Sequence, residues 1–146
     1  MRTWTATTTA RALPEKVLAA LTDPDALREW APVAFDVDDD VRRLDRGTRT
    51  RVSGRLAGRS VGFDVEVHEA GSSRLALSAQ GPVRFDVEYR LLPTLSGGSD
   101  IAASVSVHPG RGLLGTIFAE ATNGLLKAGA LSNAVNRLAA VAAAAA

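Results

Sequence analysis

Few residues in this 146-residue chain are suited to acid–base, nucleophilic or metal chemistry, and their spacing does not favour it. There is no cysteine, which excludes disulfides, thiolate nucleophiles and cysteine-based zinc sites. The two histidines, His68 and His108, both fall on the polar phase of alternating segments. A general base must reach a substrate proton, and an outward imidazole cannot reach an interior space. His108, just before Pro109-Gly110, is the one placed for a role at a rim. Neither histidine has the companions of a metal site. Asp36, Asp38, Asp39 and Asp40 resemble a hard-cation cluster but lack a glycine at the bend and a closing glutamate. They read as a solvated turn. No metal and no cofactor are expected.

Asp64, Glu66, Asp86 and Glu88 alternate outward and are expected to pair with arginines across strands. Arg42, Arg43, Arg46, Arg49, Arg51, Arg55 and Arg59 form a dense basic stretch, read either as a salt-bridged outer face or as a surface for an acidic partner. The aromatic interleaving of single-strand nucleic-acid binders is missing. Gly110-Arg111-Gly112 lacks the dinucleotide fingerprint and reads as a hinge into a helix. No nucleophile elbow is present. What remains is polar atoms inside an apolar setting: Tyr89, Ser132 and Asn136, residue types that in such a place are more often ordinary satisfied core groups than ligand contacts.

The elements that would carry these residues follow from periodicity. Arg2 to Ala10, rich in Thr, reads as a strand. Pro14 suits a helix start, and Val17, Leu18 and Leu21 share one face. Asp23 is the expected N-cap of a second short helix that begins at Pro24, runs to about Trp30 and is ended by Pro32. From Val33 to His108 the period is two. Phe35 and Val37 come first, then Val52 and Leu56, then Phe63 and Val65. Leu77, then Phe85, Val87 and Tyr89, then Val105 and Val107 continue the series. Turns at Gly58, Gly71-Ser72-Ser73, Gly81-Pro82 and Ser96-Gly97-Gly98-Ser99 make these strands antiparallel. One apolar face per strand means a sheet covered on one side.

The cover must be the segment from Gly112 to about Ala142, expected as one long helix. At 100° per residue Leu114, Ile117, Phe118, Ala121, Leu125, Ala128, Val135 and Ala139 share its apolar face, with Glu120, Asn123, Lys127 and Arg137 opposite. The alanine tail from about residue 142 to 146 is expected to fray. Residues 1–146 read as one domain of the α+β class, a curved antiparallel sheet of six or seven strands around a long C-terminal helix.

Composition narrows the partners. A net charge of +1 provides no global field for nucleic acid or an anionic membrane. The N-terminus lacks the basic and apolar regions of a signal peptide. Together with the missing cysteines this suits a cytoplasmic, bacterial protein that is a monomer or homodimer, without integral membrane association.

The order strand, two short helices, about six strands, long helix carries the words Leu21-Thr22-Asp23-Pro24-Asp25-Ala26-Leu27 and Arg28-Glu29-Trp30-Ala31-Pro32. Over nearly its whole length the chain resembles the START-like or SRPBCC superfamily, the polyketide cyclase/dehydrase and lipid-transport group, with its helix-grip fold. The resemblance implies a cavity between sheet and helix that receives lipids, polyketides or other apolar molecules. Fold does not select among carrier, receptor and cyclase.

Site residues expected in such a cavity are Trp30 at its edge after the second short helix, Val52, Phe63, Leu77, Phe85 and Tyr89 from the sheet side, and Phe118, Ala121, Leu125 and Ser132 from the long helix. Small residues Ala121, Gly124, Ala128 and Gly129 either leave a void or bring the helix close. Trp30 either closes the mouth or anchors the helix pair. The first functional reading is non-catalytic binding or transport of an apolar small-molecule ligand. The alternatives are a cyclase or aromatase using Tyr89, and a protein-interaction module using the arginine stripe.

Overall fold

Nine residues of alternating Thr and smaller side chains, Arg2–Ala10, form β1 along one edge of the sheet. The remaining elements, in chain order, are α1 (Pro14–Thr22), α2 (Pro24–Trp30), β2 (Phe35–Val37), β3 (Arg49–Leu56), β4 (Arg59–Gly71), β5 (Arg74–Gln80), β6 (Arg84–Pro93), β7 (Ser99–His108), α3 (Gly112–Lys127) and α4 (Ala130–Ala145). The computed structural model describes residues 2–31, 35–37, 42–56, 58–71, 73–110 and 112–145, with Phe35, Leu56 and Ala145 described by backbone alone. Pro32, Val33, Asp38, Asp39, Asp40, Ser72, Arg111 and the Leu56 side chain, used in the sequence reading, lie outside the described residues.

The seven strands form one antiparallel sheet in the order β1-β7-β6-β5-β4-β3-β2. Strands β2 to β7 meander, and β1 is placed beside β7, with Trp4 opposite Val105. The register explains the outer charges: Arg49 lies opposite Glu66 and Arg51 opposite Asp64, paired at 3.2 and 3.1 Å. Arg74 bridges Glu69 and Glu88, and Arg90 also reaches Glu88. Hydrogen bonds from Arg74 and then Arg90 hold the Glu88 carboxyl below its ordinary range. Exposed pairs such as Arg49–Glu66 contribute at most about 1 kcal/mol each, so this face settles register more than stability. In β4 the register shifts between Val67 and Glu69, so His68 is an inserted bulge residue.

Two short helices cap one end of the inner face. Asp23 caps α2 as expected, accepting from the Asp25 N–H at 2.9 Å. Val17 and Leu21 from α1 and Trp30 from α2 are buried in a cluster with Leu75, Tyr89, Leu91 and Leu138. A second cluster gathers Val61, Phe63, Ala79, Val83 and Val107 around Phe118 and Ala119 of α3. Trp4, Val105 and Leu126, each partly buried, pack against both clusters.

The C-terminal segment departs from expectation in two ways. It is not one helix: Gly129 adopts φ +97°, which separates α3 from α4. The Gly129 N–H returns to the Leu126 carbonyl at 3.1 Å, while its own carbonyl accepts from Asn133 at 3.0 Å. Its inward face is also different. Helix α3 buries Gly115, Phe118, Ala119 and Thr122, leaving Leu114 and Ile117 exposed and Leu125 43% exposed. The cause is a close approach between backbones. A Cβ at Gly115 would collide with the Gly110 backbone, so the glycine side of α3 faces the chain end of β7. Beyond the break, α4 lays Leu131, Ala134, Val135, Leu138 and Ala142 into the core. It continues through Ala145, past the point where fraying was expected.

Gly129→Ala tests the break. An alanine held in a left-handed conformation costs about 1–2 kcal/mol, so urea unfolding should show a loss of that size. Unchanged or increased stability would mean that one continuous helix is tolerated.

Candidate functional site

The seam between the two core clusters is not filled. A cavity of about 210 Å³ lies there, between the inner face of the sheet and the helices. Each part of its wall has a local cause. Alternation on β6 turns Phe85, Val87 and Tyr89 inward. Phe85 and Val87 are only half-buried although they face the core, because the space before them is empty. Phe63 packs on Phe85 with centroids 5.3 Å apart. Leu44 is brought under α1 by its N–H, which donates to the Thr22 carbonyl at 2.8 Å. Arg55 and Leu125, both in the wall and both exposed, mark where the space meets solvent, between β3 and α3.

Seven of the ten residues named from sequence stand in this wall: Trp30, Val52, Phe63, Leu77, Phe85, Tyr89 and Leu125. Phe118, Ala121 and Ser132 do not. Phe118 is buried in the second cluster, Ala121 is half-buried on the flank of α3, and Ser132 is exposed on α4. The phase change at Gly129 accounts for Ser132, and the approach of Gly115 to the Gly110 backbone sets the face of α3 that carries Phe118 and Ala121. Asn136 is likewise turned away, accepting from the Thr8 hydroxyl at 2.8 Å. Asn123, expected opposite the apolar face, accepts from Trp4 Nε1 at 2.9 Å. Arg137 also turns back toward the fold, donating to the Ala31 carbonyl at 3.2 Å.

The sequence reading missed Leu44, Thr122, Leu126 and Leu131 as wall residues. Leu44 sits in a stretch without periodicity and gave no signal. Thr122 and Leu126 continue the stripe Gly115, Phe118, Ala119. Phasing the helix on Gly115 and Ala119 rather than on its leucines would have found them.

The wall offers little for chemistry. His108 lies outside it, bonded to Asp86 at 2.8 Å, and His68 is bonded to Ser78 at 2.9 Å. Among the described residues Tyr89 is the wall's one titratable side chain besides Arg55. Trp30 meets the Tyr89 ring edge-on, centroids 5.8 Å apart and planes at 79°. Trp30 is itself held by a bond from Nε1 to the Ala20 carbonyl at 3.1 Å. It therefore anchors the helix pair and lines the cavity at once. Burial alone pushes the Tyr89 phenol well above its ordinary range.

A curved antiparallel sheet gripping helices around an apolar space defines a small-ligand-binding class of α+β protein. The chain belongs to the polyketide cyclase/dehydrase and lipid transport family, whose model matches residues 1–143. No curated protein sequence matches it. Among solved structures it is similar to protein CV1439 from Chromobacterium violaceum, with a TM-score of 0.71 and 20% identity over 97% of this chain and 96% of that one. It is also similar to TTHA0849 from Thermus thermophilus, with a TM-score of 0.70 and 18% identity over 99% of both. A START superfamily protein from Mycobacterium smegmatis follows at TM-score 0.61 and 20% identity, covering 93% of this chain and 98% of that one. These likenesses establish the fold. Among the described residues no helix is long and apolar enough to cross a membrane.

The burial of Tyr89 has a measurable sign. Its folded-state value is raised, so the preference for the neutral phenol is fully present below the ordinary value of about 10. That preference is lost as pH rises through the folded value, so alkali destabilises the fold in that window. Tyr89 is the sole tyrosine, so absorbance at 295 nm reports it alone. Tyrosinate should appear together with loss of near-ultraviolet dichroism. A separate titration near the ordinary value in the folded protein would contradict its burial.

Proposed function

We propose that this protein binds an apolar small molecule in the cavity between its sheet and its C-terminal helices, as a carrier or receptor rather than a catalyst. One observation carries the reading: a space of about 210 Å³ is walled almost entirely by hydrocarbon side chains. Dry apolar cavities take up apolar guests, and about 150 Å³ suffices for benzene. The space here suits a molecule of two or three fused rings, or a short acyl chain. The family, which spans polyketide cyclases and lipid transport, supports a ligand of that character.

Against a cyclase stands the chemistry of the wall. Enzymatic proton transfer needs a group whose acidity is matched to working pH. Burial moves the Tyr89 phenol away from that range, and among the described residues no carboxylate or imidazole stands in the wall beside it. The arginine stripe that suggested a protein partner is partly taken up by its own sheet, through Arg49–Glu66 and Arg51–Asp64.

The test uses the neutral fluorophore N-phenyl-1-naphthylamine. It should bind the purified, delipidated protein with enhanced emission and a dissociation constant on the order of micromolar. Val87→Trp places an indole in the space and should abolish that binding while the protein stays folded by circular dichroism. Absence of binding, or binding indifferent to Val87→Trp, would remove the cavity as the site.

A further inference from the structure

Among the described residues, four side chains in the cavity wall carry polar atoms: Trp30, Arg55, Tyr89 and Thr122. Three are already committed. The Trp30 N–H donates to the Ala20 carbonyl at 3.1 Å. The Thr122 hydroxyl donates to the Phe118 carbonyl at 2.8 Å. Arg55 is exposed, and its guanidinium donates to the Gly58 carbonyl at 3.0 Å. Tyr89 is 4% exposed, and its hydroxyl has no partner among the described residues. Its cross-strand neighbours, Leu75 on β5 and Ala103 on β7, are both apolar and buried. A hydroxyl that borders an apolar space and finds no protein partner there gains a hydrogen bond from a guest that offers one.

The geometry points to Tyr89 as the residue that selects ligand chemistry: its hydroxyl donates to one uncharged oxygen acceptor, the carbonyl of a ketone, quinone or ester, on an otherwise hydrocarbon ligand. This rests on the cavity being the ligand site. The acceptor is neutral because, among the described residues, the wall's one cation, Arg55, is exposed, and an unpaired buried charge is far more costly than an unpaired dipole. The tyrosine acts as the donor because the phenol oxygen's lone pair is delocalised into its ring, so the proton that burial keeps in place makes the stronger bond. Trp30 makes the arrangement specific. Packed edge-on against the phenol and fixed through its own N–H, it restricts the ring without competing for the hydroxyl. One polar anchor in an apolar wall fixes a guest's orientation, where a wholly hydrocarbon wall would accept it in any pose.

Two near-isosteric probes separate the hydrogen bond from burial: 2-acetylnaphthalene and 2-isopropylnaphthalene, each displacing N-phenyl-1-naphthylamine. Tyr89→Phe removes only the hydroxyl. It should weaken the ketone about tenfold and leave the hydrocarbon within about twofold, the size of one buried hydrogen bond. The ketone's carbonyl stretch should lie at lower frequency in the wild-type complex than in the variant. Equal effects of Tyr89→Phe on both probes overturn the proposal and leave the cavity reading standing. Failure of both probes to bind the wild type overturns the two together. Should Tyr89→Phe not fold, the wild type decides by ring-labelled NMR of its sole tyrosine. A shift with the ketone but not the hydrocarbon supports donation, and the same response to both refutes it.

Discussion

At Gly129 the backbone takes a left-handed φ of +97°, and the helical hydrogen-bond ladder of the C-terminal segment is interrupted there. The two halves then do different work. Helix α4 sinks its apolar stripe into the core with α1, α2 and β1. Helix α3 follows a separate constraint, the contact of Gly115 with the Gly110 backbone. A single straight helix would present one uninterrupted apolar face to the sheet. The interruption divides the core into two clusters joined by Trp4, Val105 and Leu126, and the cavity lies between them.

The sheet separates its two chemistries by alternation. Outward positions of β3 to β6 carry opposite charges set face to face by register, as in Arg49–Glu66. Inward positions carry Val, Leu and Phe, and where these border the cavity they remain half-exposed though they point at the core. Among the described residues, Trp30, Arg55 and Thr122 of the wall bond to the chain's own carbonyls, and Tyr89 does not. Among the described residues that arrangement leaves the wall chemically quiet.

Much of this was legible in the sequence because its signals were local. Period-two alternation placed Val52, Phe63, Leu77, Phe85 and Tyr89 on the inner face, and the Asp23-Pro24 pair marked the start of α2. What was not legible depended on contacts distant in sequence or on backbone geometry. A glycine after an alanine in a helix-forming stretch does not announce a positive φ. The uniform 100° projection therefore ran through Gly129 and put Ser132 inside, whereas the structure exposes it. Leu114, Ile117 and Leu125 looked like the buried stripe by hydropathy. The smaller Gly115 and Ala119 won that face because a glycine at 115 permits the approach to the end of β7. Leu44 reaches the wall through a backbone bond to Thr22, a link that no periodicity encodes.

The unfilled seam also has a volumetric consequence. Unfolding eliminates internal voids, and the associated volume decrease makes compression favour the unfolded chain. The space of about 210 Å³ would add to that volume change in so far as it stays dry, and it would do so at the junction of the two clusters rather than on the α4 side. A guest that fills the junction would harden the molecule against pressure without adding any contact between the strands themselves.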